Sequence, residues 1–93
     1  MKSIYVVVGM KHRGTDEIVA SLENGEPAEL IREPDNAYDS NAVQVWATGV
    51  HVGYVKGTQA RKLGPEMDRA GITTKPATFR VTTDRWPAVE TED

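Results

Sequence analysis

The 93-residue chain has no cysteine, one phenylalanine and two histidines. Without cysteine, no disulfide can staple the fold and no thiolate can hold a metal. His12 and His51 stand too far apart in the chain for a metal site of recognisable spacing, and no cofactor is expected. No apolar run approaches the roughly 20 residues that a membrane-spanning helix requires. Ile4-Tyr5-Val6-Val7-Val8 is cut short by Gly9-Met10-Lys11-His12-Arg13, too early for a signal sequence, so a cytoplasmic protein is the default expectation. The sequence also lacks a Ser-His-Asp set, a P-loop and a glycine-rich dinucleotide fingerprint. Nothing in it points to an enzyme.

A global surplus of positive charge is missing too, since the net charge is -3. Residues 84–93 hold four acids (Asp84, Glu90, Glu92, Asp93) and one base (Arg85), which accounts for the whole surplus. Residues 1–83 are neutral, and residues 84–93 read as an acidic, flexible tail. A neutral body argues against strong non-specific duplex binding, which needs many phosphate contacts. It leaves room for a small local site. A chain of this length makes one domain, near the lower limit for folding without staples.

The elements that are present read mainly as strands. Residues 3–8 are β-branched and aromatic, and Gly9 to Thr15 reads as a loop. Glu17 to Leu22 fits a helix or a strand equally well. Asn24-Gly25 is a turn signal, because both residues tolerate positive φ, and Ala28 to Arg32 follows as a strand. A hairpin runs from Ala42 to Val55 about Thr48-Gly49, with Val50, Val52 and Tyr54 alternating against His51, Gly53 and Val55. Ala60, Leu63, Met67 and Ala70 recur at helical spacing, and Pro65 should kink or split that helix before it stops at Gly71. A last strand spans about Pro76 to Thr83, with Phe79 and Val81 inward. Six short strands with one helical insertion predict a small closed or nearly closed barrel, which hides its edges.

The densest chemistry lies in the loop Pro34-Asp35-Asn36-Ala37-Tyr38-Asp39-Ser40-Asn41. Asp and Asn bond readily to nearby backbone amides, so these residues shape a turn or face a ligand. Tyr38, flanked by polar loop residues, either folds back onto the core or offers a stacking surface. Lys11-His12-Arg13 is the most basic triplet; it is a solvated charge run or a set of phosphate and base contacts. Lys56, at the start of the predicted helix, is the best ligand contact in the second basic group, which also contains Arg61, Lys62 and Arg69. Trp46 and Trp86 read as packing residues.

These residues together resemble the HIRAN domain, a small module of fork-remodelling ATPases that also occurs as a stand-alone bacterial or phage protein. The resemblance covers residues 5–83. It rests on Val8-Gly9-Met10-Lys11 followed by Gly14, on Arg32 to Val45, and on Val52-Gly53-Tyr54-Val55. It implies an OB-like β-barrel with one or two short helices over residues 1–83, and a pocket that captures the 3′-hydroxyl end of single-stranded DNA. By the same resemblance Asp39 accepts the terminal 3′-hydroxyl, Tyr38 lines the pocket, and Asp35 and Asn36 face the terminal nucleotides. Lys11 lies near the phosphates, and Tyr54 stands where the family often has histidine. The chain departs from the family at His12 and Arg13, which replace two aromatics, and at Ala37, which replaces a proline.

The resulting expectation is a non-enzymatic module that binds 3′-hydroxyl ends of single-stranded DNA in repair, fork processing or phage DNA metabolism. It would act alone, as an oligomer, or beside a separate helicase or nuclease. Its contact set is Lys11, His12, Arg13, Asp35, Asn36, Tyr38, Asp39, Tyr54 and Lys56. A protein-interaction adaptor that keeps the fold without the DNA pocket is the second reading. A nuclease using Glu33, Asp35 and Asp39 as metal ligands is a weaker third.

Overall fold

The structure is a computed structural model and describes residues 1–82 and 86–93. Its elements in chain order are β1 (Lys2–Val8), α1 (Met10–Arg13), α2 (Asp16–Ser21), β2 (Pro27–Arg32), β3 (Val43–Ala47), β4 (Val50–Val55), α3 (Gly57–Ala70), β5 (Thr74–Val81) and β6 (Pro87–Glu92). The six strands close into an antiparallel barrel in the order β1-β4-β3-β2-β5-β6. The predicted barrel is therefore present, with three helices rather than one or two.

Inward-facing Val7, Leu30, Val43, Val45, Val52, Val55, Phe79 and Val89 fill the interior. From α3, Ala60, Leu63 and Met67 join that core. Ala70, expected on the same face, is exposed at the helix end. Gly71 closes α3 in the left-handed conformation at φ 69°, as its sequence position suggested. Pro65 does not split the helix, which runs unbroken from Gly57 to Ala70. Buried packing on one face compensates for the missing proline N–H bond. At Gly64 the backbone of α3 approaches the loop that precedes β3: an added Cβ would lie 2.7 Å from the Asn41 carbonyl oxygen. Arg32 reinforces this junction, donating to both Asp68 carboxylate oxygens at 3.0 Å and to the Ala42 carbonyl at 3.0 Å.

Several local expectations give way to tertiary pairing. Residues 10–13 form a helical turn rather than a loop, and the ambiguous segment at 17–22 is helical. The Asn24-Gly25 turn leads from α2 into β2 without making a hairpin. Val81 is exposed at the barrel rim, past the core that Phe79 reaches. The predicted end of β5 at Thr83 lies outside the described residues, as do Asp84 and Arg85.

The largest correction concerns the acidic tail. Residues 87–92 are β6, and they pair with β1 from Lys2 opposite Glu92 to Val6 opposite Ala88. On its other side β6 pairs with β5 from Thr78 opposite Glu90 to Val81 opposite Pro87. Ala88, Val89 and Thr91 are buried. The acids that looked like a solvated tail are cross-strand partners: Glu90 faces Lys2 and Arg80, and Asp93 bonds Lys75. Bonds from Lys75 and the Ser3 hydroxyl hold the Asp93 carboxyl down at about 2.

β4 contains the irregularity that shapes the site. Val45 pairs with Gly53 and Trp46 with His51, which leaves Val52 as a bulge. One extra residue reverses the in–out alternation beyond it. Tyr54, which strict alternation places with Val50 and Val52, instead lies opposite Gln44 on the outer face.

Two measurements check this architecture. Gly64→Ala, normally favourable in a helix by about 1 kcal/mol, is expected to destabilise by roughly 1–3 kcal/mol because the methyl overpacks against Asn41. Chemical denaturation reads the sign directly. Deleting residues 87–93 is expected to abolish cooperative thermal unfolding, whereas a flexible tail could be removed without effect.

Candidate functional site

β1 and β4 pair at only two positions, Val7 with Val55 and Val8 with Tyr54. Beyond them the chain turns into α3, and the seam is stitched by other bonds. The Lys56 N–H donates to the Val6 carbonyl at 2.8 Å. The Gln59 side chain accepts from the Val6 N–H at 2.7 Å and donates to the Ile4 carbonyl at 3.0 Å. At the mouth of this seam lies an open pocket of about 260 Å³, walled by Val8, Tyr54, Val55, Gly57, Asn36, Tyr38, Asp39 and Ala42. Barrel, helix start and the 34–41 loop all contribute to it.

The loop is held by its own side chains. Asn36 Oδ1 accepts from the Tyr38 N–H at 2.9 Å and the Asp39 N–H at 3.0 Å. Asp39 Oδ1 accepts from the Asn41 N–H at 2.8 Å, and the Ala42 N–H reaches the Asp39 carbonyl at 3.0 Å. These are the turn-forming bonds that Asn and Asp favour. Asp39 Oδ2 has no protein partner among the described residues, so it remains an acceptor beside the pocket. Tyr38 is 98% exposed, a ring that contributes nothing to the core and faces solvent at the pocket wall.

Beneath the loop sits Glu33. Its carboxylate accepts from the Tyr54 hydroxyl at 3.0 Å, and from the side-chain amides of Gln44 and Asn36. Burial pushes its carboxyl up, but the bonds from Gln44, Asn36 and Tyr54 outweigh that and leave it below its ordinary value. Burial, followed by the bond to Glu33, raises the Tyr54 phenol. His51 packs edge-on against Tyr54 at 4.9 Å and stacks on Trp46 at 5.5 Å. Its Nε2 donates to the Gly53 carbonyl at 2.9 Å. Burial and then the neighbouring Arg13 lower its pKa, so the imidazole is neutral at pH 7.

The nine residues singled out from sequence divide into groups. Asn36, Tyr38, Asp39 and Tyr54 meet at the pocket. Lys56 is exposed next to it and lines an adjoining cleft with Val6, Val8 and Trp86. Lys11, His12 and Arg13 are exposed on α1, and Arg13 Nε donates to the His51 carbonyl at 2.8 Å. Asp35 is exposed but is not part of the pocket wall. One of the two tryptophans keeps the packing role expected of them and the other does not. Trp86 is 57% exposed beside Lys56, and Trp46 is a half-buried outer-face residue stacked on His51. Sequence reading passed over Glu33 as an anchor and Trp86 as a surface aromatic. The Arg32-Glu33-Pro34 context marked the first; only the strand register exposes the second.

The architecture is that of a small closed β-barrel whose loop-walled pocket sits at the β1–β4 seam beside the start of a helix. The chain matches the HIRAN domain over residues 2–89 and belongs to that family. Its fold is similar to a protein from Lactobacillus plantarum, with a TM-score of 0.69 and 25% identity, covering 99% of this chain and 100% of the other. It is also similar in fold to the HIRAN domain of human HLTF, with a TM-score of 0.58 and 21% identity, covering 97% of this chain and 69% of that one. No curated protein matches the sequence. No helix among the described residues is long and apolar enough to cross a membrane.

Because folding lowers the Glu33 pKa, its ionised form stabilises the folded loop at neutral pH. That contribution is present above the ordinary value of 4.5 and is lost as pH falls through the lowered one. Carboxyl-carbon NMR titration is expected to give Glu33 a midpoint below 4.5. A midpoint at or above it would mean that the three bonds do not form in solution.

Proposed function

We propose that this protein is a non-enzymatic module that binds single-stranded DNA and recognises its 3′-hydroxyl end. The observation that carries the reading is the pairing, at one pocket, of the unpartnered Asp39 Oδ2 with the exposed ring of Tyr38. A carboxylate accepts a hydrogen bond from a terminal hydroxyl and repels a terminal phosphate, so one side chain discriminates between the two ends. Tyr38 supplies a face for the terminal base, and aromatic stacking is worth about 1–3 kcal/mol per base without regard to sequence. Tyr54 and Val8 form the opposing wall.

Exposed Lys11, Arg13 and Lys56 supply phosphate contacts outside the acidic pocket, and His12 stacks on or hydrogen-bonds a base. Trp86 joins this set as a second aromatic surface, because its cleft shares Val8 with the pocket. The two aromatics that the family carries after Lys11 are thus partly compensated by a residue just ahead of β6. Asn36 holds the loop rather than the ligand, and Asp35 contributes little to the end contact. Membership of the HIRAN family and likeness in fold to the HLTF domain support a DNA-binding role. A module of this kind serves repair or fork processing by bringing a separate helicase or nuclease to a 3′ end.

Fluorescence anisotropy with a 5′-labelled ten-nucleotide single strand tests the reading. The 3′-hydroxyl strand is expected to bind about tenfold or more tighter than its 3′-phosphorylated form, the effect of one charge-assisted bond. Asp39→Ala is expected to reduce that preference to about unity while the thermal midpoint changes little. Equal binding of both strands by the parent protein, or binding of neither, overturns it.

A further inference from the structure

We propose that Glu33 is the positioning residue of this site. As an acceptor on both oxygens, it fixes the polarity of a side-chain network that runs from the Trp46 indole to the backbone of Tyr38 and Asp39. The inference rests on the reading that Asp39 receives the DNA end, and it explains what keeps that carboxylate in place.

Both ends of the network have a polarity that cannot change. At one end, the Trp46 Nε1–H is only a donor, and it bonds Gln44 Oε1 at 2.7 Å. That contact fixes the Gln44 amide and turns its Nε2 toward Glu33. At the other end, the backbone N–H groups of Tyr38 and Asp39 are only donors, and both bond Asn36 Oδ1. The Asn36 amide is fixed in turn, with its Nδ2 toward Glu33. Tyr54 adds a hydroxyl donor from the pocket wall. Every group that reaches residue 33 in this network is therefore a donor, distributed over two oxygens. Only an ionised carboxylate satisfies them all, and its lowered pKa agrees.

A glutamine at this position keeps the shape and breaks the pattern. If its oxygen keeps Gln44 and Tyr54, its amide nitrogen meets the Asn36 nitrogen, donor against donor. Flipping Asn36 to relieve this places its nitrogen against the amides of Tyr38 and Asp39. If the glutamine turns the other way, the conflict moves to Gln44 and ends at the Trp46 indole. Neither orientation satisfies the network. The remedy follows from the same logic: an aspartate at position 36 accepts from the glutamine nitrogen and from both backbone amides. The pair Glu33→Gln with Asn36→Asp keeps the total charge and restores every bond.

The experiment compares the parent protein, Glu33→Gln and the Glu33→Gln/Asn36→Asp double variant by two readouts. Without DNA, amide order parameters of Tyr38 and Asp39 are expected to fall in the single variant from about 0.85 toward 0.6 or below, with barrel amides unchanged. The double variant is expected to return them to the parent range. With DNA, the preference for 3′-hydroxyl over 3′-phosphate is expected to drop about tenfold in the single variant and recover in the double. Unchanged order in the single variant, or a double variant as loose as the single, overturns the proposal. If the single variant does not fold, recovery of folding in the double supports it, and failure of both overturns it. A parent protein without end preference whose loop order still follows this pattern refutes the DNA reading and upholds Glu33 as the anchor of the loop.

Discussion

The pairing of β6 with β1 on one side and β5 on the other turns a curved sheet into a barrel, and the rest of the molecule depends on it. A chain of 93 residues buries too little surface to leave two strand edges open. Closure supplies backbone partners for both edges, adds Val89 to the core and buries Ala88 and Thr91. It also neutralises acids that would otherwise repel one another, since Glu90 lies between Lys2 and Arg80. Ion pairs that remain partly open to solvent add little energy each.

Closure is tight everywhere except at the β1–β4 seam, and the site occupies that exception. Two paired residues on each strand leave space for the start of α3 and for the 34–41 loop to meet over Val8. Around the opening the charges are separated. Asp39 lies at the pocket wall, Lys56 lines the adjoining cleft, and Lys11 and Arg13 are exposed on α1. On the proposed reading, a polyanion that ends in a neutral hydroxyl would meet a carboxylate at the pocket and cations outside it. On that reading a net charge of -3 does not conflict with a nucleic-acid ligand. Local placement decides the matter, and the acids of β6 are occupied elsewhere.

Much of the site was legible because its chemistry is local. Asn36 and Asp39 bond to amides two or three residues away, which is what their side chains do in any loop. The hairpin about Thr48-Gly49 was equally plain, and both residues have positive φ there, at 52° and 75°. Tyr54 illustrates the limit. The alternation grouped Tyr54 with Val50 and Val52 on one face, but the bulge at Val52 turned Tyr54 to the outer face, where Glu33 holds it. A bulge is an agreement between two strands, and one strand's sequence does not contain it. Trp86 was misread for a related reason. Its exposure follows from where β6 begins, and the composition of β6 gave no sign of a strand.

By itself, then, the sequence determined a small barrel-forming domain, a helix ending at Gly71, and a polar loop dense in Asp, Asn and Tyr. Each of these is set within a few residues by backbone preference, spacing or side-chain reach. Tertiary structure alone decided that an acidic segment closes the barrel, that α3 runs through Pro65, and that Tyr54 turns outward. It also decided that Glu33 gathers Gln44, Asn36 and Tyr54 on one carboxylate. Those outcomes depend on partners 3 to 21 positions away along the chain for Glu33 and up to about 90 for β6. Their physical cause is the satisfaction of donors and acceptors across strands, which no local pattern encodes.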